Sequence, residues 1–178
     1  MESDQELMMQ AAEGRMAAFE TLVRRHQQRA WRIAYHYLGN RDDAEEVAQQ
    51  AFLNILEAAD SYTPSARFTT YLYRVIANLC MDRTRKRNPS LAEDMPEQRS
   101  SEPQPDCRMR NRERDRAIDE ALDELTDRQR MATVLRYYED LSYREIAEAM
   151  DATPKAVERL LARARKSLET KLDEFGEK

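Results

Sequence analysis

The sequence predicts an all-α protein made of two small helical domains joined by a flexible linker. Composition is the first reason: three glycines and six prolines among 178 residues, with 35% charged and 41% hydrophobic, suit amphipathic helices and not hairpin-rich sheet. The second is a set of three Ser/Thr-x-x-Glu/Gln capping boxes, each able to satisfy the free backbone donors at a helix start. The third is the stretch from Asn88 to Pro105, NPSLAEDMPEQRSSEPQP, which holds four prolines and little apolar periodicity. It divides the chain into domains at 1–87 and 106–178, with 88–105 as the linker.

Taken in order, Ser3-Asp4-Gln5-Glu6 opens a short helix to about Glu13, which Gly14 ends. A longer helix carries Phe19, Leu22, Val23, His26, Ala30, Ile33, Ala34 and Tyr37 at three- and four-residue steps and stops at Gly39. Asn40 caps the next, whose first turns hold Asp42, Asp43, Glu45 and Glu46 near the positive end of the helix dipole. Its apolar stripe is Val47, Ala51, Phe52, Ile55 and Leu56, and it ends near Asp60. Residues 61–66 read as a loop around Pro64, followed by a helix from about Arg67 to Lys86.

Beyond the linker, Ile118, Leu122 and Leu125 mark one helix, and Thr126-Asp127-Arg128-Gln129 opens another through Met131, Val134, Leu135 and Tyr138. Ser142-Tyr143-Arg144-Glu145 starts a short helix through Ile146, Ala147 and Met150. Asp151-Ala152 makes a turn, and Thr153-Pro154 supplies a cap followed by proline at the first helical position. A short helix, a tight turn and a longer basic helix form a helix-turn-helix candidate.

The formal net charge of −5 conceals two basic islands. Residues 62–90 contain six basic groups and one acidic (+5), and residues 154–171 contain six and two (+4). In the second island, Val157, Leu160, Leu161, Ala164 and Leu168 define a buried stripe, so Lys155, Glu158, Arg159, Arg163 and Lys166 face outward. An arginine near the start of such a helix suits guanine edges in a major groove, and the outer cations suit phosphate. The competing reading is a solvated helix face. In the first island, Tyr62, Phe68, Tyr71 and Tyr73 precede Arg74, Arg83, Arg85, Lys86 and Arg87, the mixture of rings and cations with which proteins hold single strands. Aromatic residues at helical spacing are equally a core pattern, Phe68 and Leu72 foremost.

Several classes are excluded or disfavoured. The glycines are too few for a phosphate loop or a dinucleotide fingerprint, and no H-E-x-x-H or C-x-x-C pair occurs, so neither cofactor nor metal is expected. His26 and His36 have packing or surface roles, and Cys80 and Cys107 lack a redox motif. The absence of a basic-then-apolar leader and of a long apolar run points to a cytoplasmic protein.

AFETLVRRH, GNRDDAEEVAQQAFLNI and RFTTYLYRVIANLCMDRTRKR in the first domain, with ALDELTDRQRMATVLRYYEDLSYREIAEAMDATPKAVERLLARARKSL in the second, resemble extracytoplasmic-function sigma factors of the sigma-70 family. The resemblance implies a region 2-like bundle and a region 4-like helix-turn-helix, with no catalysis and no small-molecule substrate. It implies that Asp43, Glu45, Glu46, Gln49 and Phe52 grip the β′ clamp of core RNA polymerase, with the β flap a second contact. Phe68, Tyr71, Arg74, Asn78, Arg85, Lys86 and Arg87 would meet the minus-ten element, Asn78 lining a pocket for a flipped base that loop 61–66 helps to wall. Arg144, Lys155, Arg159, Arg163 and Lys166 would meet the minus-thirty-five element. An anti-sigma factor, often membrane-anchored in the family, is the expected restraint. Tyr71 stands where the family often has tryptophan, and Gln50 where it often has glutamate.

A stand-alone helix-turn-helix regulator of duplex operators is the alternative. It has no use for DAEEVAQQAF beside an aromatic and basic helix. An extended linker of 18 residues spans roughly 60 Å, comparable with about 17 or 18 base pairs at ~3.4 Å each.

Overall fold

The computed structural model describes residues 2–62, 67–87, 122 and 124–176, the last six as backbone only. Among these residues there are seven α-helices and no strand. The linker, most of the 61–66 loop, Cys107 and nearly all of the helix expected around Ile118 lie outside the described residues.

Helix α1 (Asp4–Ala12) starts as its capping box requires: the Ser3 hydroxyl accepts from the Glu6 amide at 3.2 Å, and the Glu6 carboxylate accepts from the Ser3 amide at 2.7 Å. It buries Leu7, Met8 and Ala11 and gives way at Gly14, whose φ of +85° is a conformation that side chains rarely adopt. Helix α2 (Met16–Leu38) buries one stripe, Ala18, Phe19, Leu22, His26, Ala30, Ile33, Ala34 and Tyr37, and ends at left-handed Gly39. The Asn40 side chain then accepts from the amides of Asp42 and Asp43 at 2.9 and 3.1 Å, starting α3 (Arg41–Glu57). A 3-10 turn over Ala59–Ser61 follows. Helix α4 (Phe68–Arg87) completes the first bundle by packing on α2 and α3 through Leu72, Ile76, Ala77 and Cys80.

The C-terminal helices obey the same local chemistry. Thr126 and Gln129 cap α5 (Asp127–Tyr137), and Ser142 and Glu145 cap α6 (Tyr143–Ala149), each box closed in both directions. The Ser142 hydroxyl and then its backbone amide donate to the Glu145 carboxylate, at 2.7 and 2.9 Å, and hold it below its ordinary value. Asp151 takes φ +48° in the turn, and Thr153 accepts from the Ala156 amide at 3.2 Å to start α7 (Pro154–Gly176). Ile146, Val157 and Leu161 are buried where α6 and α7 cross, which sets the helix-turn-helix angle.

The two halves are not separated in space. A single hydrophobic cluster runs from Leu7 to Leu161 through both, with α5 against α2 and α4, and α6 against α4. A second, small cluster joins Leu122, Leu125 and Ala164 beside Leu168.

Candidate nucleic-acid and partner interfaces

Helix α3 presents Glu45, Gln49 and Leu53 to solvent at four-residue steps, with Glu46 and Gln50 beside them. Leu53 is 52% exposed, an apolar side chain on an otherwise polar face, and nothing in the periodicity of the stripe singles it out. The other two members of the predicted cluster stand differently. Asp43 is buried, its side chain only 7% exposed, and its Oδ1 accepts from Arg83 Nε at 3.1 Å and Arg83 Nη2 at 2.7 Å. Arg87 reaches the same carboxylate at 2.7 Å, and Arg83 also donates to Glu46 at 2.6 Å. Arg83 therefore holds the Glu46 carboxyl below its usual range, first by hydrogen bonding and then by charge. Phe52 turns inward and meets the Phe19 ring edge-on at 6.5 Å. Asp43 and Phe52 thus stand under the α3 face, not on it.

On α4, Tyr71, Arg74, Asn78 and Arg85 follow steps of three, four and seven residues and make one outward stripe, with Tyr71 half-buried. Tyr62 leans on Tyr71 at 5.6 Å, and burial, followed by Tyr71 and Asp4, pushes its phenol up. Lys86 is exposed at the helix end, and Arg87 is committed to Asp43. Phe68 corrects the expectation of a strand-facing ring. It is 1% exposed and lies against His26 at 5.3 Å, and His26 Nε2 is 2.7 Å from Asp4 Oδ2. The first residue of a helix that must pack on two neighbours is taken by the core.

The outward face of α7 carries Lys155, Arg159, Arg163 and Lys166 as its periodicity requires, opposite buried Val157, Leu161 and Ala164. Arg144 projects from α6 and lies 3.3 Å from Glu148. Sequence reasoning passed over Arg165, whose guanidinium is held above its ordinary range by the phenols of Tyr137 on α5 and Tyr143 on α6. Arg136 stacks over the Tyr143 ring at 5.6 Å and donates to the Leu141 carbonyl at 2.8 Å, stiffening the same corner.

The face between the halves was also missed. Glu139, in the α5–α6 loop, has a side chain 1% exposed, held by Arg29 at 2.9 Å and by Arg32 at 2.6 and 2.9 Å. The Tyr37 hydroxyl donates to Asp127 at 2.8 Å, and the His36 ring stacks on Tyr138 at 3.6 Å. Arg74 donates through two nitrogens to the Glu148 carbonyl at 2.8 and 3.3 Å, and Arg67 lies 3.7 Å from Glu145. Residues 74 to 110 positions apart make these contacts, and the charged ones look like ordinary surface charges in the sequence.

A helical bundle carrying a basic outward stripe, followed by a braced helix-turn-helix, defines a two-module helical protein of the kind that reads nucleic acid. Residues 22–89 match Sigma-70 region 2, and residues 115–168 match Sigma-70, region 4. The chain is 29% identical over 175 residues to the ECF RNA polymerase sigma factor SigW of Bacillus subtilis, covering 92% of this chain and 93% of that one. It is 29% identical over 181 residues to the ECF RNA polymerase sigma-E factor of Escherichia coli, covering 96% and 94%. Among solved structures, CnrH in complex with the cytosolic domain of CnrY matches at a TM-score of 0.74 and 27% identity, over 97% of this chain and 98% of that one. The chain belongs to the extracytoplasmic-function group of the sigma-70 family.

Proposed function

We propose that this chain directs core RNA polymerase to a set of promoters and helps to open them, the polymerase performing all the chemistry. Residues 1–87 form the module that binds polymerase and captures melted strand, and residues 106–178 form the module that docks on duplex. The observation that carries this reading is the pairing, on one chain, of an α4 stripe that mixes a ring, an amide and cations with a separate cationic α7 face. The stripe suits unstacked bases and the α7 face suits a major groove.

Within that reading the polymerase clamp meets Glu45, Glu46, Gln49 and Leu53, while Asp43 and Phe52 shape the helix from beneath. Tyr71, Arg74, Asn78, Arg85 and Lys86 serve the minus-ten element, with Arg87 joining them when it leaves Asp43. Arg144, Lys155, Arg159, Arg163 and Lys166 serve the minus-thirty-five element. Arg144 and Lys166 are placed to hold phosphate, and Arg159 to read bases. The relative solved with the cytosolic domain of a second protein supports an anti-sigma partner for this chain, and a membrane anchor on that partner would place the pair at the cytoplasmic face of a membrane.

The test is direct binding to core polymerase. Full-length chain should co-purify with core enzyme, and Glu45→Lys and Leu53→Asp should each weaken that complex while leaving DNA binding by the chain alone unchanged. Failure of the unaltered chain to bind any core enzyme from its source organism would remove the proposal.

A further inference from the structure

The contacts between the two modules set the DNA-facing residues of α4 against the C-terminal half. Arg74 is bound to the last turn of α6, Arg67 lies near Glu145 at the start of α6, and α6 is the first helix of the helix-turn-helix. An α4 in contact with α6 cannot lie on one promoter element while α7 lies on another about 17 base pairs, or roughly 60 Å, away. The closed arrangement and promoter binding therefore exclude one another.

Beside the apolar cluster that runs through both modules, a set of polar contacts fixes how they meet. The first module contributes Arg29, Arg32, Arg67 and Arg74; the second contributes the carboxylates of Glu139 and Glu145 and the backbone carbonyl of Glu148. Tyr37 adds a hydroxyl to Asp127, and His36 adds a ring to Tyr138. Glu139 is the centre of this array, being almost wholly removed from water and met by two guanidinium groups. A carboxylate so buried is costly to leave unpaired, so losing its guanidinium partners weakens the closed contact.

We propose that the basic face formed by α2 and α4 is a docking surface for the acidic edge of α5 and α6 of the same chain. Glu139 acts as the latch, and this contact competes with DNA for the first module in the free protein. The chain restrains itself before any partner restrains it. Polymerase binding or promoter engagement must break the latch, and an anti-sigma factor that recognises both modules gains from finding them already together. The competition with DNA rests on the promoter reading above; the closure itself does not.

Small-angle scattering on the full chain tests the closure. The radius of gyration should rise in Glu139→Ala and in Arg32→Glu, stay at the unaltered value in Glu169→Ala, which removes an equal charge from exposed α7, and return in the Arg29→Glu/Arg32→Glu/Glu139→Arg exchange, which reverses every charge of the cluster. Circular dichroism on each variant confirms that helix content is kept. Equal radii for the unaltered chain and Glu139→Ala, or an exchange that fails to restore the compact form, would overturn the latch.

Fluorescence anisotropy with a mixed-sequence single-stranded oligonucleotide tests the competition. A chain closed about 90% of the time binds about tenfold more weakly than its open form, so Glu139→Ala should tighten binding by about that factor and Glu169→Ala should not. An unlatched variant with unchanged affinity would show that the closed form leaves the strand face free, and would overturn the competition. Transcription with core polymerase separates this from the promoter reading: no transcript from any variant removes that reading while the scattering result stands on its own.

Discussion

Replacing Asp43 by alanine should destabilise the first module, although this residue carries the signature of a surface acid in a helix's first turn. Its carboxylate accepts from Arg83 at 2.7 and 3.1 Å and meets Arg87 at 2.7 Å, fastening α3 to α4. Breaking a fully buried pair costs about 3–5 kcal/mol, and an exposed pair about 0–1 kcal/mol. Asp43 falls between these limits. Arg83 keeps Glu46 at 2.6 Å and is itself 26% exposed, and Arg87, 57% exposed, returns to water. The expected loss is about 2 kcal/mol, or roughly 4–8 °C in Tm for a chain of this size. Glu45→Ala, on the open face of the same helix, should change stability by less than about 0.5 kcal/mol. Thermal and urea unfolding followed by circular dichroism measure both. If Asp43→Ala and Glu45→Ala unfold alike, the carboxylate does not join the helices, and the case for placing Asp43 beneath the proposed polymerase-binding face fails. If they differ as expected, any polymerase defect of Asp43→Ala acts through α3–α4 geometry, whereas that of Glu45→Ala is direct.

Three other outcomes follow from the same structure. Asn78→Ala should slow open-complex formation more than initial duplex binding, measured by permanganate reactivity and by gel shift; equal loss in both contradicts a role in holding an unstacked base. Arg159→Ala should flatten discrimination among minus-thirty-five sequences by about 1–3 kcal/mol, and a uniform fall across all sequences would reassign it to phosphate. Burial, and secondarily Arg32, holds the His36 imidazole below its ordinary value of 6.5. A group whose folded value is depressed takes up protons more readily once released, so the closed form should weaken as pH falls below about 6.5. Scattering between about pH 7.5 and 5.5 should show this expansion. His36→Phe, which keeps a ring against Tyr138, should reduce it, and an unchanged pH response would contradict the assignment.

Helix positions were legible because they are local. Ser3, Asn40, Thr126, Ser142 and Thr153 each announce a start through side-chain chemistry that needs no distant partner, and all five cap as expected. The outward face of α7 was legible because Val157, Leu161 and Ala164 fix the opposite side. Phe68 was ambiguous because a ring beside cations has the same pattern whether it stacks on bases or on His26. Asp43 was misplaced because its helix-dipole position is also an outward one in an isolated helix, and only the return of α4 covers it. Glu139 was invisible. Its partners Arg29 and Arg32 lie more than a hundred residues earlier, and no periodicity links them. The net charge of −5 takes on a more definite meaning in the structure, since part of the acidic surplus is spent on the chain's own arginines.

The function proposed for this chain is to give core polymerase its choice of promoter. Runoff transcription on fragmented genomic DNA of the source organism, with transcript ends sequenced in the presence and absence of the chain, tests it most directly. Start sites should depend on the chain and share two upstream sequence blocks at a fixed separation, with Asn78→Ala and Arg159→Ala reducing transcription from them. A core enzyme whose start sites are unchanged by adding the chain would contradict it.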